Sequence, residues 1–184
     1  LGENPGDWDI ATNASMEKII ELFPKAFAIG KRYGVLRVTE GEITADIATF
    51  RIDGIYTDYR RPDEVEYTER IEEDLKRRDF TINAIAANPE RGIIDPFEGR
   101  VDLKAKQIKS VGNPEERFEE DPLRILRGIR FAAQLDFHIH TETLEAMKEK
   151  APLLEKISIE RIREEFVKII TSKNSSKGLK LCIY

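Results

Sequence analysis

The chain has 184 residues, 40% of them hydrophobic and 35% charged, with a formal net charge of −5. That length holds one moderate domain or two small ones, and the acidic balance excludes a globally basic nucleic-acid binder, so a polyanion must be met by a local basic patch or through bound metal. Cys182 is the only cysteine, which excludes an internal disulfide and points to a cytoplasmic protein; no apolar run reaches membrane-spanning length and no basic-then-apolar leader opens the chain.

After a Pro5-Gly6 turn, residues 7–12 read as a strand with Asp7 and Asp9 on one face and Trp8 and Ile10 on the other. Thr12 or Asn13 suits the cap of a helix over 14–23, whose buried stripe would be Met16, Ile19, Ile20 and Phe23, and Pro24 ends it. Two short strands, 26–29 and 34–38, flank a Gly30-Lys31-Arg32 turn, and residues 42–50 alternate so that Asp46 sits mid-strand opposite in face to Ile43, Ala45 and Ile47. A lone strand carboxylate usually faces solvent, and Asp-x-Asp is common. If Asp7, Asp9 and Asp46 share neighbouring strands, however, they form an all-oxygen set suited to Mg²⁺. Two such ions can activate a hydroxyl and neutralise a triphosphate.

Residues 52–67 are charged and turn-rich and read as a mobile loop, with Tyr56, Tyr59 and Tyr67 available to stack on bases or merely exposed. Thr68 can cap a helix over 69–76. A second helix is expected from Asp79, as N-cap, through Ala86, with Phe80, Ile82, Ala84 and Ile85 turned inward. Asn83 is out of place in such a segment unless it bonds something specific. Residues 95–99 form a turn, 101–106 a short helix, and 107–111 a last strand returning to the sheet. From Pro114 the pattern is helical over 115–120, 122–135, 142–150 (Thr141 as N-cap) and 158–171, with a further helix starting at Gly178. His138 and His140, with only ordinary acids beside them, do not make a metal site.

The most informative stretch runs from Glu119 to Arg130. Pro122 suits the first position of a helix and the acids ahead of it suit the positive helix end. Asp121, Arg124, Arg127 and Arg130 then recur every third residue, so neighbours in the series lie side by side. Spacing alone allows two readings: an ordinary ion-paired face, or a nucleotide site.

Arg77-Arg78-Asp79-Phe80-Thr81-Ile82-Asn83-Ala84 resembles the second signature of class II tRNA nucleotidyltransferases, the CCA-adding enzymes, and of the related bacterial poly(A) polymerases. Asp7-Trp8-Asp9-Ile10-Ala11-Thr12 is similar to that superfamily's metal motif, and Ile93-Ile94-Asp95-Pro96-Phe97-Glu98-Gly99 with Asp102-Leu103 to the hinge before the neck. Glu120-Asp121-Pro122-Leu123-Arg124 resembles the base-reading motif, and Ile159-Glu160-Arg161-Ile162 with Glu165-Phe166 a fifth motif in the neck. The resemblance covers nearly the whole chain in order and favours the nucleotide reading of the arginine series.

It implies an α+β fold: a nucleotidyltransferase-type small mixed β-sheet head over residues 1–112, lacking its first strand, then a helical neck domain over 113–184, the whole truncated at both ends. The family carries a Gly-Gly-x-Val-Arg-Asp segment before the stretch matching Leu1-Gly2, and body and tail helices after the neck, so residues 1–184 alone would have at most weak activity. The implied reaction is template-independent addition of CMP and AMP, from CTP and ATP, to the tRNA 3′ end. Asp7 and Asp9 would hold Mg²⁺, and Asp46 would complete the catalytic set by helping to activate the primer hydroxyl, although the family often has Glu there. Arg78 would contact the nucleotide, Asp79 and Asn83 would order its ribose end, and Arg127 and Arg130 would reach towards the triphosphate.

Asp121 and Arg124 would choose the base. Cytosine and adenine offer an exocyclic amine beside a ring acceptor, whereas uracil and guanine offer a carbonyl beside a ring N–H, so one carboxylate with one guanidinium accepts the first pair and rejects the second. The nearest alternatives are a bacterial poly(A) polymerase and a specialised CC-adding or A-adding enzyme; Asn83-Ala84-Ile85-Ala86 and Ile94-Asp95-Pro96-Phe97 look more like the CCA-adding side. A non-catalytic RNA-binding relative is a more distant one. No membrane partner is implied, and the sequence sets no oligomeric state.

Overall fold

The computed structural model describes residues 8–30, 33–59 and 62–183, so Asp7 lies outside the described residues. The chain divides into two compact units, Leu1–Asp53 with Val65–Asp74, and Gly54–Glu64 with Leu75–Tyr184.

In the first unit, β1 (Trp8–Thr12), β2 (Phe27–Gly30), β3 (Val35–Glu40) and β4 (Ile43–Thr49) form one mixed sheet in the order β1-β4-β3-β2. β1 runs parallel to β4, and β3 is antiparallel to both β4 and β2. Helix α1 (Met16–Leu22) packs Ile19 against Leu36, Val38 and Ile47. Its N-cap is Ser15, which accepts from the Lys18 N–H, rather than Thr12 or Asn13. Thr12 instead closes a local turn by accepting from the Ala14 N–H. Of the expected buried stripe, Met16 and Phe23 pack beside Ile19, whereas Ile20 is 44% exposed. The segment expected as a charged loop has strands at both ends, β5 (Arg51–Asp53) pairing with β6 (Val65–Tyr67). Arg51 is fixed there by Asp53 at 2.8 Å and by the Tyr33 carbonyl at 2.9 Å.

Helix α2 (Ile71–Lys76) starts after Thr68, whose hydroxyl accepts from the Arg70 N–H. Beyond it the sequence-based expectation fails. In place of a helix to Ala86 there is a single 3-10 turn, Thr81–Asn83, followed by a hairpin of β7 (Ala86–Asn88) and β8 (Gly92–Ile94). Tertiary bonds take the backbone groups a helix would have used. Thr81 N–H donates to the Lys109 carbonyl, Val111 N–H donates to the Asp79 carbonyl, and Phe80 bridges Ser110. A local preference of tenths of a kcal/mol per residue does not survive that competition. Residues 107–111 accordingly do not return to the four-stranded sheet: β9 (Gln107–Ile108) pairs in parallel with β10 (His138–Ile139).

The second unit is otherwise helical: α3 (Gly99–Ala105), α4 (Pro114–Glu120), α5 (Leu123–Leu135), α6 (Thr141–Lys150), α7 (Ile159–Ile170) and α8 (Ser175–Ile183). Thr141 opens α6 while His140 occupies the cap position, and α8 starts before Gly178. Phe80, Phe118, Ile125, Ile129, Met147 and Ile169 belong to one buried cluster with α5 at its centre. Gly128 is what lets that cluster close, because a Cβ there would lie 2.8 Å from the Phe80 ring and 2.3 Å from the Met147 methyl. At Gly99 a Cβ would fall 2.2 Å from the Thr81 carbonyl oxygen, so only glycine allows α3 to start against the 3-10 turn.

Candidate functional site

On the sheet, strand register does the positioning. Asp9 is the parallel partner of Asp46, and Arg37 is the antiparallel partner of Asp46. All three therefore occupy one face, while Ile10, Leu36 and Ile47 occupy the other. The face beyond the acids is low, since the next in-register pair is Ala11 with Ala48. Arg37 grips Asp46 as a fork, Nε to Oδ1 at 2.6 Å and Nη2 to Oδ2 at 2.8 Å. This hydrogen-bonded guanidinium holds the Asp46 carboxyl below its usual range.

A hard cation takes carboxylate oxygens, and on this face Asp9 supplies a carboxylate beside Asp46. Asp9 is exposed and has the right chemistry for Mg²⁺, and Asp7, its expected co-ligand, belongs to the segment outside the described residues. Among the described residues no group of three or more His, Cys, Asp or Glu side chains gathers around one point. Asp46 is committed to Arg37 through both oxygens, which suits it to orienting a hydroxyl better than to ligating an ion.

The second unit holds the other predicted residues, arranged around α5. Asp121 does not lie in the helix: it caps the end of α4 in extended backbone, and its Oδ1 accepts from the Leu123 N–H at 3.1 Å as α5 begins. Pro122 is correspondingly the cap of α5 and not its first residue. Arg161, from the first turn of α7, donates to the Asp121 carboxylate at 3.0 and 3.3 Å. Burial pushes the Asp121 carboxyl up, and Arg161, the Leu123 N–H and Arg124 only partly oppose it.

Arg124 is buried and donates to Glu120 at 2.6 Å, to the Arg117 carbonyl at 3.0 Å and to the Arg77 carbonyl at 3.3 Å. Glu120 is itself ion-paired to Arg117. The acid and the guanidinium expected to read a base are thus fixed separately, each by its own partner.

Further along α5, Arg127 meets Asp79 at 2.7 Å, and Asp79 also accepts from Asn83 at 3.0 Å and from the Phe80 N–H at 2.8 Å. Asp79 is buried, which would raise its carboxyl, but Arg127 and the other two donors outweigh burial and hold it below the usual range. Arg130 pairs with Glu165 of α7 at 3.0 Å and lies over the Phe131 ring, 4.4 Å from its centroid. The acidic run at 115–120 supplies no partner to Arg130. Each predicted arginine of the series has an acidic partner, so the ion-paired face is real, built from acids on three separate stretches: Glu120, Asp79 and Glu165.

Seven of the predicted residues fall in this second unit, Arg78, Asp79, Asn83, Asp121, Arg124, Arg127 and Arg130, and three of them, Asp79, Asn83 and Arg127, form one cluster. Asp9 and Asp46 fall in the first. Sequence reasoning missed the partners. Arg37 was legible from the hairpin once its register is known. Arg161 and Glu165 are one turn apart on an amphipathic helix, a spacing that puts both on one face, yet nothing in the pattern says which helix that face meets.

Known proteins are similar to this chain over nearly its whole length. Residues 1–109 match the poly A polymerase head domain family, and residues 136–183 match the family described as the probable RNA and SrmB-binding site of polymerase A. The CCA-adding enzyme of Streptococcus pyogenes serotype M2 is 47% identical over 183 residues, all of this chain and 46% of that protein. The crystal structure of the Bacillus stearothermophilus CCA-adding enzyme in complex with CTP superimposes with a TM-score of 0.89 at 38% identity, over 98% of this chain and 43% of that one. The Thermotoga maritima CCA-adding enzyme complexed with tRNA gives 0.77 at 31%, over 97% and 42%. The chain thus spans less than half the length of the relatives it matches. No helix among the described residues is long and apolar enough to cross a membrane. With its signature stretches in order and its head matched from residue 1 to 109, the chain belongs to the poly A polymerase head domain family.

Proposed function

We propose that the protein is a cytoplasmic tRNA nucleotidyltransferase that adds C and A, from CTP and ATP, to the tRNA 3′ end without a nucleic-acid template. The observation that carries the reading is the pair at the start of α5: a half-buried carboxylate, Asp121, and a buried guanidinium, Arg124, each anchored by its own partner and with no bond between the two side chains. Such a pair offers one acceptor and one donor set, which fits the amine and ring nitrogen of cytosine or adenine. Uracil or guanine would leave buried polar groups unpaired at about 1–3 kcal/mol each. The CTP and tRNA complexes of the related enzymes support the same substrates.

In this reading residues 1–112 are the head and 113–184 the neck. Asp7 and Asp9 hold Mg²⁺, which supplies charge neutralisation at the triphosphate and lowers the cost of ionising the attacking hydroxyl. Asp46, kept ionised by Arg37, accepts a hydrogen bond from the primer 3′-hydroxyl and orients it. Arg78 contacts the nucleotide, with Asp79 and Asn83 ordering its ribose end. Arg127 and Arg130 present charge to the phosphates, where guanidinium contacts are strong, and Asp79 and Glu165 hold those side chains in place beforehand.

The test is incorporation by the full-length protein on a tRNA lacking its CCA end, with each of the four nucleotides offered alone and together. Stepwise addition of two C residues and then one A is expected. A long A tail without C would assign the protein to the poly(A) polymerase side instead.

A further inference from the structure

The fifth motif of the sequence contributes Arg161, a residue with no role in the mechanism above. We infer that Arg161 is a positioning residue that fixes the hydrogen-bond polarity of Asp121, keeping that carboxylate an acceptor and thereby excluding uracil and guanine. The inference rests on Asp121 reading the incoming base.

The geometry is that of a dedicated clamp. Arg161 Nη2 lies 3.0 Å from Oδ2 and 3.3 Å from Oδ1 of Asp121, and the two side chains are only 18% and 16% exposed. The Leu123 N–H takes a further lone pair of Oδ1. The charged groups near Asp121 are Arg161 from α7, Arg124 from α5, and its sequence neighbour Glu120 at the end of α4, whose charge is already committed to Arg117 and Arg124. Arg161 is the only one of these that bonds the Asp121 side chain among the described residues.

Protonation would invert what this side chain offers. An ionised carboxylate accepts only; a carboxylic acid also carries an O–H that donates. With a proton, Asp121 could donate to the carbonyl of uracil or guanine where it otherwise accepts from the amine of cytosine or adenine. Burial already favours the neutral form, and Arg161 is the largest influence against it. Without the guanidinium, the neutral acid would be populated closer to working pH, and base choice would become dependent on pH. A merely structural α5–α7 ion pair makes a different prediction: lost stability, with discrimination unchanged.

The experiment measures kcat/KM for UTP and for CTP on the same tRNA, from pH 6 to 8.5, with the full-length wild-type protein and with Arg161→Gln. Wild type should show a ratio that is flat with pH. Arg161→Gln should show a UTP:CTP ratio raised about tenfold at the acid end, since one pKa unit changes the protonated fraction tenfold, and returning towards wild type as pH rises. If Arg161→Gln does not fold, Arg161→Lys keeps a charge without the planar fork and should show the same pH direction with a rise of about threefold. A folded variant whose ratio stays at the wild-type value across the range overturns the inference. A wild-type protein that fails to prefer CTP and ATP at all would overturn the base-reading proposal itself, which is a separate result.

Discussion

The sheet and the surroundings of helix α5 both hold carboxylates of the candidate site, on opposite physical terms. On the sheet, Asp9 is exposed and Asp46 is held by an Arg37 side chain that is itself 43% exposed. Water screens that pair and keeps ionisation inexpensive, so the strands need only supply register. Around α5, Asp79 and Asp121 are buried or nearly so, and each needs its own cation to stay charged. Their outcomes then diverge. Asp79, with Arg127, Asn83 and the Phe80 N–H, ends below the usual range, while Asp121, with Arg161 and the Leu123 N–H, stays above it. A solvated carboxylate can be replaced with little structural consequence; a buried one cannot.

The largest expected effect is on the solvated side. If Asp9 holds Mg²⁺ as proposed, Asp9→Ala should slow nucleotidyl transfer by the full-length protein about 10³-fold, the several kcal/mol that a displaced metal ion withdraws from the transition state. Its stability should change by no more than about 0.5 kcal/mol, as for other exposed positions. Initial rates and a thermal melt on one preparation check both halves. Asp79→Asn should behave the other way round, costing about 3 kcal/mol at neutral pH because it leaves a guanidinium facing a buried neutral group. The Asp79 carboxyl is depressed in the folded state, so its contribution is present above the unfolded value of about 4 and is lost as pH falls below it. Denaturant midpoints between pH 3 and 7 should therefore converge for wild type and Asp79→Asn at the acid end. A constant gap would mean that the ion pair is not what the substitution removes.

How far the sequence shows all this follows from which contacts are local. The alternation at 43–49 sets Asp46 opposite in face to Ile47 without any tertiary knowledge, and the observed β1–β4 register puts Asp9 beside it. The α5 helix was legible from its three-residue period, because helical neighbours are set by geometry alone. The failures lie where distant strands compete with local preference. Residues 79–86 look helical until Lys109 and Ser110 take their backbone groups, and the last strand looked sheet-bound until His138 and Ile139 were found beside it. Arg161 and Glu165 were visible as a motif, but the identity of their partners on another element depends on packing that no spacing encodes. Family resemblance names candidate binding residues and says nothing of their counter-ions.

Packing sharpens the same contrast at smaller scale. Gly128→Ala adds a methyl against the fully buried Phe80 ring and the end of Met147. Overpacking costs about 1–3 kcal/mol, against a gain of about 1 kcal/mol from replacing glycine inside a helix. The expected net is a loss of about 1 kcal/mol, a fall of roughly 2–4 °C in Tm for a chain of this size. A raised Tm would show that Phe80 can give way and that the back of α5 is looser than its contacts indicate.

Arg37→Gln should have the smallest effect and is the most direct way to break the comparison. If the Arg37–Asp46 pair is on solvated terms, losing it changes stability by less than about 1 kcal/mol. The Asp46 carboxyl, depressed while the fork is present, would rise towards about 3.9. Stability carried by that depression exists above the unfolded value and fades as pH falls, so the variant should differ from wild type near neutrality and converge with it in acid. Released from the fork, the carboxylate becomes a somewhat stronger base, and the acid limb of kcat/KM should move to higher pH by less than about one unit. A stability loss above about 2 kcal/mol would instead put Asp46 in the same class as Asp79, since only removal of a buried partner carries a penalty of that size; the sheet face would then be as dependent on its counter-ion as the helix is.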